Sequence, residues 1–232
     1  MPKITHKING ESYEIMTDQR MHILERPDTY IGSTKNVTMK QYIFEDDCIV
    51  NKLIQYNDGK IRIFTEILSN AVDNYIRSKN TDHEMTRIKV DINRETGNTI
   101  IENNGKSIPI TMFANTEQYL PEIIFGELLS SSNYDDTQNR ETSGRNGYGA
   151  KLTNIMSSKF EVSIIDEHTT YKQKYLNNMQ RRSTPIIKEL TKPSNSMTKI
   201  TFVPDISRFG NTPFYDDDTY GYIIKYYTIY LL

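Results

Sequence analysis

Arg87-Ile88-Lys89-Val90-Asp91-Ile92-Asn93, then Glu95-Thr96-Gly97-Asn98, then Thr99-Ile100-Ile101-Glu102: these three pieces decide the fold. The first alternates in the two-residue period of a strand with one buried face. The second is a hairpin turn, and the third is the returning strand. It runs into Asn103-Asn104-Gly105-Lys106, a tight turn, and Ser107-Ile108-Pro109. Further strands are predicted over 159–164, 170–175 and 197–203, the last ended by Pro204-Asp205. Strands joined as hairpins build an antiparallel sheet whose apolar face needs a helical cover. The predicted class is α+β, a two-layer α/β sandwich with a mixed, mostly antiparallel sheet covered by helices. A doubly wound parallel sheet is not the first choice.

The cover is supplied on either side of the hairpin. Over 61–78, Phe64, Ile67, Leu68, Ala71, Val72, Tyr75 and Ile76 recur at helical spacing, with Glu66, Asn70, Asp73, Asn74 and Arg77 opposite. A short helix is expected over 121–129 with Pro121 at its first position. Another follows Gly149 over 150–156, and the tail 220–232, rich in Tyr and Ile, is predicted helical. One or two helical turns over 18–25 stop before Arg26-Pro27, because the residue before proline leaves the helical region. A strand is expected over 37–44 and a turn at Asn57-Asp58-Gly59. Residues 1–20 read as an arm that either is disordered or packs on something else.

The 232 residues carry a formal net charge of −2, with 25% charged and 36% hydrophobic residues. This is ordinary globular composition on the polar side. The chain as a whole is therefore not an electrostatic nucleic-acid binder. A single cysteine, Cys48, excludes an internal disulfide and fits a reducing compartment. No run reaches the ~18 apolar residues of a membrane helix, and the N-terminus lacks a signal-peptide core. An intracellular, membrane-free location is expected.

A polar run over 130–142 precedes Ser143-Gly144-Arg145-Asn146-Gly147-Tyr148-Gly149-Ala150-Lys151. Glycines at this spacing before a helix make a phosphate clamp, since backbone N–H groups can approach an anion closely. The common versions fail. A P-loop needs Lys where Ala150 stands, and a dinucleotide fingerprint needs Gly where Leu152 stands. Kinase H-R-D and G-x-S-x-G motifs are absent. His6, His22, His83 and His168 have no zinc spacing.

The remaining candidate joins three pieces. Glu66, Asn70 and Asn74 repeat every four residues on one helical face. Glu66 could orient and deprotonate a water, and Asn70, one turn on, suits a Mg²⁺ that bridges phosphates. Asn103 sits at a strand end, where an amide could pair with a nucleobase edge, and Lys151 supplies charge to the loop. Taken singly, each piece has a plainer reading. Glu and Asn on a polar helix face are usually solvated, and Asn103-Asn104-Gly105 is by default a turn. The acidic runs Glu45-Asp46-Asp47 and Asp216-Asp217-Asp218 read as solvated loops, Arg181-Arg182 as surface and Tyr226-Tyr227 as packing.

Taken together, Phe64 to Asn74, Asn103 to Pro109 and Gly144 to Lys151 resemble the nucleotide-binding boxes of the gyrase, heat-shock chaperone, histidine kinase and MutL (GHKL) ATPases. Two further stretches, Arg26-Pro27-Asp28-Thr29-Tyr30-Ile31-Gly32-Ser33 and Ile124 to Asp136, resemble the ATPase domain of eukaryotic-type DNA topoisomerase II. The resemblance spans about Tyr13 to Phe202 and implies the Bergerat (GHKL) fold. It implies ATP and Mg²⁺ as cofactors, Glu66 as general base and Asn70 as metal ligand, with Asn74 on the same face. Asn103 and Thr198 would contact the adenine, with Ile108 and Ile124 lining the base pocket. Ser131, Ser132 and Asn133 would meet ribose and phosphate, and Gly144, Arg145, Asn146, Gly147, Tyr148, Gly149, Ala150 and Lys151 would cover the triphosphate. Tyr13, matched with a one-residue insertion, would reach the partner's nucleotide.

The resemblance also implies an organisation: residues 1–25 an arm, 26–215 the ATP-binding domain, and 216–232 a helix leading to a transducer domain absent from the chain. A homodimer would close through the arm when nucleotide is bound, and duplex DNA would be engaged by the full-length protein. Alone, the fragment would hydrolyse ATP weakly and cleave no DNA, because the second-domain lysine and the DNA-cleaving tyrosine lie elsewhere. Abundant Asn, Ile, Lys and Tyr point to an AT-rich genome such as that of a large DNA virus. The expected compartment is the nucleus for a eukaryotic source, or host cytoplasm, viral factory or virion for a viral one. A sister chaperone or histidine kinase fits less well: no phosphoacceptor His lies on a paired-helix segment, and the chaperones lack Ser-Ser-Asn-Tyr-Asp-Asp. A non-catalytic nucleotide sensor would not need Glu66. Two positions depart from the family pattern: Ser107 and Ser143 stand where glycine is usual.

Overall fold

The computed structural model describes residues 4–8, 11–15, 17–128 and 148–231. In chain order the strands are β1 (Ile4–Ile8), β2 (Glu11–Ile15), β3 (Val37–Glu45), β4 (Cys48–Tyr56), β5 (Ile88–Ile92) and β6 (Thr99–Asn104). They continue as β7 (Ser157–Asp166), β8 (Thr169–Leu176), β9 (Arg181–Arg182), β10 (Ile186–Glu189) and β11 (Met197–Pro204). The helices are α1 (Gln19–Glu25), α2 (Asp28–Ile31), α3 (Asp58–Ser78), α4 (Leu120–Gly126), α5 (Gly149–Ile155) and α6 (Asp217–Leu231). The main sheet has seven strands in the order β10-β8-β7-β11-β6-β5, with β9 paired to β8. Every described pairing is antiparallel.

The expected β5–β6 hairpin forms, with Val90 opposite Ile101 and Ile92 opposite Thr99. Its alternation continues across the sheet as lateral rows on one face. Asn103, Thr198, Ile164 and Tyr171 form one row. Ile101, Ile200, Val162 and Gln173 form the next, then Thr99, Phe202, Phe160 and Tyr175. Most of these side chains are buried, while intervening residues such as Lys172 and Lys174 are exposed. One covered face and one wetter face make a two-layer sandwich. On the covered face lie α3, through Ile63, Phe64, Ile67 and Leu68, and α5, through Leu152 and Ile155. Each such side chain contributes about 1.5–3 kcal/mol on burial.

Several expectations shift. Asn57-Asp58-Gly59 is not a free turn but the start of α3: the Asn57 side chain accepts from Lys60 N at 3.1 Å and caps the helix. Gly59 packs against Ile31, Thr34 and Phe209 at distances where a Cβ would crowd them. Along α3 the apolar stripe drifts after Ala71: Tyr75 is exposed, Val72 and Ile76 are half-buried, and Asp73 is buried instead. Residues 37–56 form a nine-by-nine-residue hairpin, β3 with β4, where only the first strand was expected. Its turn is Asp46-Asp47, both at positive φ (49° and 60°), the geometry of a two-residue hairpin loop. Residues 4–8 and 11–15 likewise pair as two antiparallel strands, with Ile4 opposite Ile15.

Asp216-Asp217-Asp218 is not a solvated loop. Asp216 accepts from the fully buried Lys60 ammonium at 2.8 Å and from Thr219 N at 2.8 Å, which starts α6. Asp217 pairs with Arg94, and Asp218 accepts from Gln55 N at 2.8 Å. Asp216 and Asp218 thus tie α6 to α3 and β4, and Asp217 meets the β5–β6 turn at the surface. Tyr226 and Tyr227 pack on the core as expected. Arg182 lies at the surface, paired with Glu127 at 2.7 Å.

Candidate active site

Asn103 and Thr198 fall directly opposite each other across β6 and β11, on the covered face of the sheet. Period-two alternation separates the two neighbouring asparagines. Asn103 points inward and is 6% exposed; its Nδ2 donates to the Asn104 carbonyl at 2.9 Å. Asn104 faces the other way, and its Oδ1 accepts from Thr86 N and Arg87 N at 3.0 and 2.8 Å. Asn104 therefore holds the chain entering β5, while Asn103 lies on the covered face. At the following turn Gly105 has φ 91°, and a Cβ there would lie 2.7 Å from Met85 Cβ, so glycine is required. Ser107, in place of the usual glycine, is absorbed by a hydrogen bond from its hydroxyl to Asp166 Oδ1 at 2.9 Å. Ile108 and Ile124 are half-buried and pack on the core cluster.

Glu66 projects from α3 toward α5. An added Cβ on Gly149 would lie 2.0 Å from Glu66 Oε2, so the carboxylate rests on the bare glycine backbone. Thr153, one turn into α5, donates to the Ile63 carbonyl of α3 at 2.7 Å and holds the two helices together. Burial pushes the Glu66 carboxyl above the usual carboxylate range; Arg62 opposes this and Asp73 adds to it. The Arg62 Nε lies 2.5 Å from Glu66 Oε1, an i,i+4 pair on α3. Arg62 was not singled out from the sequence, although the spacing was there to read. A carboxylate that is desolvated, oriented and less acidic than usual has the properties of a general base.

Asn70, one turn beyond Glu66, is exposed, and Asn74 is half-buried. Among the described residues, no three His, Cys, Asp or Glu side chains group as a metal site. Lys151, the residue expected to supply charge to the loop, is a buried cation. It is 1% exposed, and burial pulls its ammonium down to about 8, with Glu127 acting in the other direction. Ala150 is buried beside it. Tyr148 precedes α5, and its hydroxyl accepts from Gln19 Nε2 at 2.6 Å. Its ring lies 6.2 Å from that of Tyr30, whose hydroxyl meets His22 Nδ1 at 2.8 Å. Gln19 had no readable signal, being 129 residues from its partner. Tyr13 falls in β2. Ser131, Ser132, Asn133, Gly144, Arg145, Asn146 and Gly147 lie outside the described residues, as does the polar run 130–142. Among the described residues no helix is long and apolar enough to cross a membrane.

Residues 59–207 match the family described as histidine kinase-, DNA gyrase B-, and HSP90-like ATPase. The chain is 43% identical over 208 residues to DNA topoisomerase 2 of Pisum sativum, covering 89% of this chain and 14% of that protein. It is 47% identical over 214 residues to DNA topoisomerase 2 of Candida albicans, covering 90% and 14%. The crystal structure of the ATPase region of Saccharomyces cerevisiae topoisomerase II superposes with a TM-score of 0.85 at 42% identity, over 91% of this chain and 55% of that one. The chain thus spans about one seventh of the length of these curated relatives. With the antiparallel sheet, the helical cover and the Glu66 site in one frame, the chain belongs to the histidine kinase-, DNA gyrase B- and HSP90-like ATPase family.

Proposed function

We propose that the chain binds and hydrolyses ATP as the ATPase region of a type II DNA topoisomerase. The observation that carries this reading is the seating of Glu66: half-buried, raised in pKa, ion-paired to Arg62 and pressed on Gly149 at the start of α5. The likeness to the yeast ATPase region over 91% of the chain supports the choice of subfamily. Asn103 and Thr198, paired across the sheet, take the adenine, with Ile108 and Ile124 beside it. Tyr148, Gly149 and Ala150 close on the triphosphate through their backbone N–H groups at the start of α5, with Lys151 beside them.

Glu66 takes a proton from the attacking water, and Arg62 holds the carboxylate in place while lowering its pKa back toward the working range. Asn70 would hold Mg²⁺. A single exposed amide oxygen, with no carboxylate cluster among the described residues, suits an ion that takes most of its ligands from phosphates and water. When bound, the ion neutralises phosphate charge. Binding of ATP pairs two copies through the N-terminal hairpin, with Tyr13 directed at the partner's nucleotide, and the closed pair encloses a DNA duplex in the complete enzyme.

Substituting Glu66→Gln should remove turnover while leaving ATP affinity within about threefold, the signature of an interaction made only in the transition state. Phosphate release and equilibrium nucleotide binding would be measured in parallel. Retained turnover would exclude Glu66 as the base.

A further inference from the structure

We propose that Gln19 and Tyr148 are positioning residues that set Gly149 against Glu66, so that the segment following the N-terminal hairpin acts on the base through one hydrogen bond. The inference rests on the reading of Glu66 as the base. It starts from how α5 is held. On one side Thr153 binds the Ile63 carbonyl of α3 at 2.7 Å. On the other, Asn154 Nδ2 donates to the Phe125 carbonyl of α4 at 3.0 Å. Both anchors lie one turn or more beyond Gly149. At the start of α5 itself, Tyr148 makes no capping bond with its own side chain. Its carbonyl accepts from Leu152 N at 2.8 Å, so the position of Tyr148 sets the first turn.

What fixes Tyr148 comes from α1 and α2. Gln19 Nε2 donates to the Tyr148 hydroxyl at 2.6 Å. The Tyr30 ring lies 6.2 Å away at 50°, and Tyr30 is itself held by His22 Nδ1 at 2.8 Å. Gln19 is the first residue of α1, four positions after the end of β2 at Ile15. The Asp18 side chain caps that helix by accepting from Met21 N at 3.2 Å. A short, capped link therefore runs from the start of α1 through Gln19 and Tyr148 to Gly149. At Gly149 the tolerance is small, because the Glu66 carboxylate occupies the space a Cβ would need. A shift of the first turn of α5 by a fraction of an ångström would move the wall on which the base rests. Small misplacements of this kind reduce turnover without removing binding.

The test is a double-mutant cycle of Gln19→Ala and Tyr148→Phe, read as ATP turnover, nucleotide affinity and thermal midpoint. Tyr148→Phe keeps the ring against Tyr30 and deletes only the hydroxyl. Each single variant is expected to lower kcat by about 10- to 100-fold, with ATP affinity and thermal midpoint near the parent's. The double variant should be no slower than the slower single, since both changes break the same bond. Parent-like kcat in either single, losses that multiply, or a loss of affinity matching the loss of turnover would overturn the proposal. Glu66→Gln, measured alongside, separates the two readings. An inactive Glu66→Gln with parent-like Gln19→Ala sinks the coupling alone, whereas an active Glu66→Gln sinks the base and the coupling with it.

Discussion

At the scale of the residue, desolvation acts in opposite directions on two charges, the half-buried Glu66 and the buried Lys151. Desolvation raises Glu66 and lowers Lys151 to about 8. Arg62 is the largest force holding Glu66 down, so Arg62→Gln should move the acid limb of the pH–rate profile to higher pH. The sign follows because the base acts when deprotonated and loses the cation that favours that form. Unchanged limbs would show that Arg62 does not tune the base. Lys151 yields a second prediction. Without ligand it is protonated below about pH 8 and neutral above. A triphosphate in the proposed place beside it would raise its pKa, so ATP binding should take up a proton near and above pH 8, with affinity falling by up to about tenfold per pH unit there. Calorimetry in buffers of differing ionisation enthalpy reads the proton directly, and a buffer-independent heat would remove Lys151 from the phosphate site.

At the scale of the element, α5 against α3 is the contact on which the proposed catalysis depends. Gly149→Ala tests it. Alanine in a helix is favoured over glycine by about 1 kcal/mol, while a Cβ at 2.0 Å from Glu66 Oε2 forces displacement at about 1–3 kcal/mol. The fold should therefore survive with a net loss of no more than about 2 kcal/mol, but turnover should collapse, because the displaced group is the proposed base. Equilibrium denaturation beside phosphate release checks both halves. Which elements the sequence disclosed follows from where their order resides. The β5–β6 hairpin and α3 carry local periods, so the two strands with their turn and the Phe64, Ile67, Leu68 stripe could be read directly. The β3–β4 hairpin hid its period: Ile43 and Ile54 face inward, but Tyr42, Ile49 and Leu53 face outward and exposed. With apolar residues on both faces, strict alternation vanishes. The pairing of Asn103 with Thr198 was reachable only through resemblance, since their 95-residue separation leaves no local trace.

At the scale of the whole molecule, the question is how α6 is joined to the site helix. Lys60 enters this junction at the first turn of α3, fully buried, with its ammonium 2.8 Å from both the Pro213 carbonyl and Asp216 Oδ2. Phe214 lies beside it at 5.7 Å from the ring centroid. No sequence pattern announces such a bond, because lysine at the start of a helix normally points to water and the acidic run reads as a loop. Lys60→Met keeps the stem's packing and removes the cation. It leaves the partly exposed Asp216 carboxylate without its counter-ion, though still capping Thr219. Breaking a buried pair from one side costs about 3–5 kcal/mol, and the water available to Asp216 reduces this to about 2–3 kcal/mol. For a domain of this size the thermal midpoint should fall by about 5–10 °C. The pair of Arg94 with Asp217 at the other flank of the same turn is exposed, and Asp217→Asn should leave the midpoint where it is, because solvent screens such pairs. Differential scanning calorimetry of the two variants compares them. Equal midpoints would mean that α6 is held by its apolar packing, through Ile223 and through Tyr222 against Tyr56, and not by the buried ammonium.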